Sequence, residues 1–185
     1  MADVKGVLVS GTRAFLLNRY GKPAIDRVLA TMPSTDSARI NRPFLESSFY
    51  PYATMESMTV LIHGLGSIRR TTGQELGRFL AEYVFKGPYK PMLTSDVPRM
   101  VEKIAAIKDF FYRDTNAVES AMTGDASAKV IYRYQNGVRP TKGLCRSLGA
   151  FWGHALELSG NVKVSATHPT CMAEGADRCE FVYAW

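Results

Sequence analysis

The side chains with the clearest potential for chemistry lie near the end of the sequence. His168 precedes Cys171 in the stretch His-Pro-Thr-Cys, and Cys179 follows eight positions after Cys171. One imidazole and two thiolates could bind zinc if a fourth ligand came from elsewhere in the chain. The spacing is unlike that of a zinc ribbon, and no Cys-x-x-Cys pair occurs. Metal binding is therefore the less favoured of two interpretations.

The favoured interpretation of these cysteines is structural. Cys171 and Cys179 stand symmetrically about Gly175, which places them opposite each other where a hairpin closes. Such a pair can lie within disulfide reach, but in a reducing compartment it would usually remain two thiols, with a reversible redox switch as the alternative. We predict that they are close in space and bind no zinc. Cys145 has basic neighbours that could make it reactive, yet we expect it to be a buried packing residue.

The helix predicted to begin at Pro140 and to continue through Leu158 is the most informative segment. One stripe of this helix should face the core, and it consists of Leu144, Leu148, Phe151, Ala155 and Leu158. An adjacent stripe carries Cys145, Gly149, Trp152 and Gly153. Its small residues would let a strand, a partner chain or a flat apolar ligand approach the helix closely. Core packing is the ordinary interpretation of this stripe.

A candidate ligand-binding site is predicted around the start of this helix. Its pocket would lie between this helix, the long helix that begins near Ser95, and the sheet. Aromatic side chains would form the walls, and two basic side chains near the helix N-terminus would anchor an anionic group. The candidate residues are Tyr132, Tyr134, Arg139, Lys142, Trp152 and His154.

Enzymatic motifs are not evident in the sequence. No serine lies in Gly-x-Ser-x-Gly, and Gly64-Leu65-Gly66 lacks the third glycine of a dinucleotide-binding motif. If the protein were an enzyme, His154 or His168 would be the expected proton carriers.

The periodicity of the chain predicts an α+β fold. N-terminal helices are expected to pack on a C-terminal antiparallel sheet with the order strand–strand–helix–strand–strand. Thr54, Thr72 and Ser95 are the predicted helix caps. The predicted helices cover residues 4–20, 23–32, 55–70, 73–85, 95–113 and 140–158, and the predicted strands cover 117–122, 128–135, 162–168 and 179–185.

Length and composition indicate one globular domain over residues 1–185. Hydrophobic residues make up 46% and charged residues 22% of the sequence, which is ordinary for a globular protein. The net charge of +6 comes from scattered residues, so we expect no nucleic-acid partner. No apolar run is long enough to span a membrane, and no secretory signal is visible. A cytoplasmic location is expected.

Two segments carry a resemblance to known sensory domains. The segment Val4-Lys5-Gly6-Val7, followed by residues 15–29 with a Tyr-Gly break, resembles the opening of heme–nitric oxide binding (H-NOX) domains. The segment from Cys171 through Gly175-Ala176-Asp177-Arg178-Cys179 to Phe181 looks like the close of 4-vinyl-reductase-type sensory domains. The resemblance implies a fold whose helices and sheet enclose a ligand pocket. It also implies a role in sensing small or apolar molecules, tetrapyrroles among them.

The sequence departs from H-NOX proteins at the heme ligand. Those proteins hold heme iron with a histidine about thirty residues before a Tyr-x-Ser-x-Arg motif. The matching stretch here begins at Tyr132 and ends at Arg139 without that motif, and no histidine occurs between His63 and His154. We therefore predict no heme bound through an axial histidine, and no other cofactor.

These observations favour a non-enzymatic ligand-binding or sensory domain in a bacterial regulatory or metabolic system. Its partners would be a small apolar or aromatic ligand and a second copy in a homodimer. One alternative is an interaction module that dimerises through the glycine-bearing helix face. Another is a lyase or reductase acting on an aromatic or tetrapyrrole-type substrate.

Overall fold

A computed structural model of the protein describes residues 2–65 and 70–185. Part of the Gly64-Leu65-Gly66 stretch and most of the last turn predicted for the helix over 55–70 lie outside these residues. Within the described ranges, no helix is long and apolar enough to cross a membrane.

The first part of the chain is helical, as predicted. The break between the first two helices falls at Gly21, whose φ of 74° favours glycine. A short third helix lies between the predicted helices over 23–32 and 55–70. The six helices in the described part of this region are α1 (Gly6–Tyr20), α2 (Lys22–Thr31), α3 (Ser34–Asn41), α4 (Ala53–Gly64), α5 (Arg70–Phe85) and α6 (Val97–Phe111).

The second part of the chain has the predicted order strand–strand–helix–strand–strand. Its elements are β4 (Asn116–Gly124), β5 (Ser127–Tyr134), α7 (Lys142–Gly160), β6 (Ser165–Thr170) and β7 (Cys179–Ala184). The strands form one antiparallel sheet in the order β4-β5-β7-β6. The α+β fold class is therefore confirmed.

A second, smaller sheet was not predicted. Its strands β1 (Asp3–Lys5), β2 (Phe49–Pro51) and β3 (Tyr112–Arg113) pair in the order β2-β1-β3. Strands of two or three residues show no measurable alternation, and Val4 fits the helical spacing of the residues after it. Residues 4 and 5 were therefore wrongly assigned to the first helix.

The predicted cap of α6 is displaced by one residue, and the start of α7, predicted at Pro140, is displaced by two residues to Lys142. Asp96, not Ser95, caps α6, since its carboxylate accepts a hydrogen bond of 2.9 Å from the Arg99 N–H. Thr141, following Pro140, caps α7 by accepting from the Leu144 N–H at 3.1 Å. Each cap accepts from the residue three positions ahead, which is the usual N-cap geometry.

Two other predicted caps lie inside helices. Thr54 follows the first residue of α4, and Thr72 is the third residue of α5. Both are buried, with exposed fractions of 0% and 3%. Each threonine resembles a cap in sequence because polar residues precede the apolar run, but the helix has already begun.

Helix α7 lies between α5 and the sheet. On the α5 side the helices are so close that a Cβ added at Gly77 would overlap the carbonyl oxygen of Ser147. On the sheet side, a Cβ added at Gly149 would lie 3.1 Å from the Phe181 ring of β7. Small residues therefore set the position of α7 on both sides.

Candidate functional site

Four potential metal ligands converge where α7 meets β6 and β7. Cys145 comes from the first turns of α7, and His168 comes from β6. Cys171 directly follows β6, and Cys179 is the first residue of β7. One ligand atom from each of these four side chains lies within 4.8 Å of every other. The three cysteines are buried.

The packing of α7 on β7 explains how Cys145 reaches this cluster. Cys145, Gly149 and Gly153 recur every four residues, which is about 6 Å along a helix. Alternate residues of β7 begin at Cys179 and recur about every 6.6 Å on one face of the strand. Because the two repeats nearly match, the glycines lie against Phe181 and Tyr183, and Cys145 lies against Cys179.

The sulfur separations fit a shared metal better than a disulfide. Cys145 Sγ lies 3.7 Å from Cys179 Sγ and 3.9 Å from Cys171 Sγ. A disulfide bond would hold two sulfur atoms about 2.05 Å apart. Tetrahedral zinc with Zn–S bonds of about 2.3 Å places its sulfur ligands roughly 3.8 Å apart. The predicted proximity of Cys171 and Cys179 is confirmed, and the structure adds Cys145 and His168 to them.

Neighbouring groups orient these ligands. The His168 ring stacks on Phe181 with 4.2 Å between ring centroids and 8° between planes. Its Nε2 has no hydrogen-bond partner among the described residues. The Met172 backbone N–H donates to Cys179 Sγ at 3.3 Å. Contacts of this kind fix metal ligands in position and stabilise negative charge on sulfur.

One thiol of the cluster is prepared to carry negative charge. A hydrogen bond from the Cys145 thiol lowers the pKa of Cys179 below its ordinary value, against the effect of burial and with help from His168 and the Met172 N–H. The same hydrogen bond, with burial, raises the pKa of Cys145 far above its ordinary value. Because metal ions bind thiolates, Cys179 is the thiol of this cluster best suited to bind a metal first.

A polar cleft of about 560 Å³ borders the cluster, and Cys145, His168 and Cys171 are among its lining residues. The charged side chains of this cleft are largely paired. Lys142 lies 2.9 Å from Glu174, and Arg78 lies 2.7 Å from Glu157.

His154 also lines this cleft and bridges two carboxylates. Its Nδ1 lies 2.6 Å from Glu157, and its Nε2 lies 3.1 Å from Glu82. The hydrogen bond from His154 lowers the pKa of Glu82, with a further contribution from Lys86. Burial would raise the pKa of Glu157, but hydrogen bonds from His154 and Arg78 more than offset this effect. The network joins α5 to α7.

A narrow apolar cavity of about 80 Å³ lies on the other side of α7. Helices α1, α4, α5, α6 and α7 all contribute lining residues. From α7 these include Leu144, Leu148, Phe151 and Trp152. Helix α7 therefore carries a potential metal ligand, Cys145, on one face and part of the wall of a cavity on another.

The three predicted aromatic wall residues do not all line the apolar cavity. Trp152 lines the cavity. Tyr132 is fully buried, and its hydroxyl accepts a hydrogen bond from Trp152 Nε1. Tyr134 stacks on Tyr132 with ring centroids 6.3 Å apart and is not among the residues that line the cavity.

The other three predicted site residues lie apart from this cavity. Arg139 is exposed, and Lys142 and His154 line the polar cleft. The six candidates therefore do not meet in one pocket. Sequence reasoning had raised His168, Cys171 and Cys179 as possible ligands and had set them aside. Cys145 was missed as the fourth, although its spacing from Gly149 and Gly153 carries the signal.

Comparisons with known proteins show which solved structures share this fold. No protein-family model matches the chain, and no curated protein matches it significantly. A crystal structure of an H-NOX protein from S. oneidensis matches with a TM-score of 0.73 and 15% identity, over 97% of this chain and 95% of that chain. The Fe(II) unliganded H-NOX protein from K. algicida matches with a TM-score of 0.72 and 10% identity, over 97% and 95%. The NMR structure of an H-NOX domain from Shewanella oneidensis in the Fe(II)CO state gives 0.69 and 13%, over 97% of each chain. The chain therefore has the H-NOX fold, as the sequence resemblance predicted.

The described residues do not fit a histidine-ligated heme. No histidine is among the described residues that line the apolar cavity, and the side chain of His63 lies outside the described part of the chain. Helix α6, which covers the positions about thirty residues before Tyr132, contains none. Met55 and Met58 supply thioethers to the lining, but thioethers serve heme iron chiefly beside a histidine. The volume of about 80 Å³ is also far below the roughly 300–1,000 Å³ of pockets that enclose larger ligands.

Proposed function

We propose that residues 1–185 form a non-enzymatic sensory domain with two sites that share helix α7. The first is a zinc centre formed by Cys145, His168, Cys171 and Cys179. The second is the apolar cavity, which takes a small apolar ligand. The proposal rests chiefly on the convergence of four ligand atoms within 4.8 Å of one another.

The composition of the centre supports zinc. Three thiolates and one imidazole form one of the usual ligand sets of structural zinc, and soft sulfur ligands disfavour magnesium and calcium. Four protein ligands complete a tetrahedron and leave no position for a substrate. This closed coordination favours a structural or regulatory centre over a catalytic one.

Zinc at this position would tie α7 to the end of the sheet. Cys145 would be joined through the metal to residues that precede and begin β7, and its neighbour Leu144 lines the cavity. A change at either site would then act on the same helix. This shared helix is what favours a sensory role over two unrelated sites.

Dimerisation through the glycine-bearing face of α7 loses its support. Gly149 and Gly153 face Phe181 and Tyr183 of the same chain, so β7 occupies the face that a partner would need. None of the three cysteines forms a disulfide, which suits a reducing compartment and favours the cytoplasm.

Metal analysis of the purified protein tests the zinc centre. We expect about one zinc per chain, as for other structural sites, and intense thiolate-to-cobalt absorption after replacement of zinc by Co²⁺. His168→Ala and Cys179→Ser should lose both signals. His154→Ala is the matched control, because His154 binds two carboxylates outside the cluster and its loss should leave the zinc content unchanged.

Either of two findings would refute the zinc centre. One is a folded wild-type protein that takes up neither zinc nor cobalt after reduction of its thiols. The other is a zinc content that responds equally to His154→Ala and His168→Ala.

A further inference from the structure

Among the described residues that line the apolar cavity, Thr72 has a buried hydroxyl that makes no hydrogen bond. Thr72 is 3% exposed and lines the cavity, and its Oγ1 has no hydrogen-bond partner among the described residues. A buried hydroxyl without a partner costs free energy, since it has given up its hydrogen bonds to water. Such a group is unusual in a folded core unless something else satisfies it.

The other threonines of the cavity are satisfied by the protein itself. Thr12 donates to the Leu8 carbonyl at 2.8 Å, and Thr59 donates to the Met55 carbonyl at 3.0 Å. Thr141 accepts from the Leu144 N–H as the cap of α7. Bonds from a helical threonine to the carbonyl four residues earlier are common, and Thr12 and Thr59 make them. Among the described residues, Thr72 differs from these three threonines in having no partner; the carbonyl four residues before it belongs to Ile68, outside the described part of the chain.

The cavity offers no uncompensated charge. Lys108 is among its lining residues and is 3% exposed. Its Nζ donates to the Asn116 carbonyl at 2.5 Å and lies 2.5 Å from a carboxylate oxygen of Asp109. Because this ammonium group is already paired, the cavity does not need an anion to balance it. A neutral ligand is favoured.

The size of the cavity limits the ligand further. Its volume of about 80 Å³ is below that of an apolar cavity of about 150 Å³ that takes up benzene or xenon. A ligand of benzene's size or smaller is therefore indicated.

We propose that the cavity binds small neutral molecules with an apolar body and one hydrogen-bonding oxygen, such as short alcohols and ketones, and that Thr72 binds this oxygen. This inference rests on the proposed ligand-binding role and names the class of ligand. The apolar lining takes the hydrocarbon part, and the Thr72 hydroxyl distinguishes an oxygenated molecule from a hydrocarbon of the same shape.

Binding of butan-2-ol to the full chain, followed by NMR chemical-shift titration, tests this proposal. Thr72→Val keeps the shape of the side chain and removes the hydroxyl, so butan-2-ol affinity should fall about tenfold. Thr59→Val is the matched control, since its hydroxyl already serves the Met55 carbonyl and its loss should change the affinity less than about twofold. Xenon, which makes no hydrogen bond, should bind Thr72→Val at least as well as wild type.

The outcomes separate the two levels of the proposal. Equal butan-2-ol affinities in wild type and Thr72→Val would overturn the role of Thr72. Binding of xenon without binding of butan-2-ol would overturn the ligand class and leave an apolar cavity in place. Failure of both probes to bind would overturn the cavity as a ligand site altogether, while the zinc content would still report on the metal centre independently.

Discussion

Two tyrosines of the sheet illustrate how similar residues contribute differently to this fold. Tyr132 on β5 and Tyr183 on β7 are both fully buried, and burial raises the pKa of each well above its ordinary value. Both therefore remain neutral phenols. The hydroxyl of Tyr132 accepts a hydrogen bond from Trp152 Nε1, whereas that of Tyr183 has no partner among the described residues.

We predict opposite consequences of removing these two hydroxyls. Tyr132→Phe leaves the buried indole N–H of Trp152 without a partner and should reduce the free energy of unfolding by about 1–3 kcal/mol. Tyr183→Phe removes a polar group that is already unsatisfied, so it should be neutral or stabilising. Urea denaturation of both variants measures the difference. Equal losses of stability would contradict the assigned hydrogen bond.

At the level of single residues, the sequence predicted which cysteines lie close together better than it predicted what individual residues do. The symmetry of Cys171 and Cys179 about Gly175 was sufficient to place two thiols together. The position of the third thiol, Cys145, depends on the packing of α7 against β7, which the sequence indicates only through the four-residue spacing of Cys145, Gly149 and Gly153. Likewise, Trp152 lines the cavity, whereas Tyr134, Arg139, Lys142 and His154, which were grouped with it from the expected packing of this helix on the sheet, do not. Residues on different faces of one helix, such as Lys142 and His154, point in different directions, so membership of the same elements does not place residues in one pocket.

Among the helices, the crossing of α5 and α7 determines the shape of both proposed sites. Gly73 of α5 faces the Gly143 carbonyl, and Gly77 faces the Ser147 carbonyl so closely that a methyl group would overlap it. The cavity lies beside this crossing, and the His154 network with Glu82 ties the same two helices together further along. The distance between the two helices is therefore constrained at several points.

Substitution of two glycines by alanine should reveal this constraint. Gly77→Ala forces α5 away from α7 and should destabilise the protein by roughly 1–3 kcal/mol or more, as overpacking of a core does. Gly153→Ala makes the same chemical change in α7, where the nearest atom to the added Cβ would be 3.6 Å away. It should stabilise the helix by up to about 1 kcal/mol, because alanine favours the helical conformation. Thermal unfolding compares the two, and a milder effect at Gly77 than at Gly153 would contradict the close crossing.

Long elements were predictable because their periodicity extends over several turns or alternations. The order strand–strand–helix–strand–strand and the helical first part of the chain follow from patterns of this length. The sheet of β1, β2 and β3 was not predictable, since its strands pair residues that lie far apart in sequence and each strand is too short to show a pattern. Helix starts at α4 and α5 were also misplaced, because a buried threonine inside a helix and a capping threonine look alike in sequence.

Over the whole molecule, α7 is the element on which the proposed sites depend. Its first turns carry Cys145 toward β7 and Leu144 toward the cavity, and its later turns carry Trp152 to the cavity wall. The H-NOX fold supplies this arrangement of helix, sheet and cavity. The residues placed on it here favour zinc over a histidine-ligated heme. The fold alone therefore does not determine which metal the proposed site would bind.

Removal of the metal should loosen α7 before it unfolds the protein. Without zinc, Cys145 keeps hydrogen bonds to Cys179 and Cys171 through its sulfur but loses the bonds through the metal that hold all four side chains together. We expect the amides of α7 from Cys145 to Gly153, and those at the start of β7, to exchange with deuterium about tenfold faster or more after treatment with a chelator. Amides of β4 should change little, because β4 lies at the far edge of the sheet from β6.

Cys179→Ser is the control, since a protein that binds no zinc should show the faster exchange before the chelator is added and no further change after it. Uniformly faster exchange throughout the chain would indicate that zinc stabilises the fold as a whole and would contradict a local effect on α7. If exchange in α7 is instead unchanged while zinc is lost, the metal centre and the cavity are independent, and the sensory role of the shared helix fails.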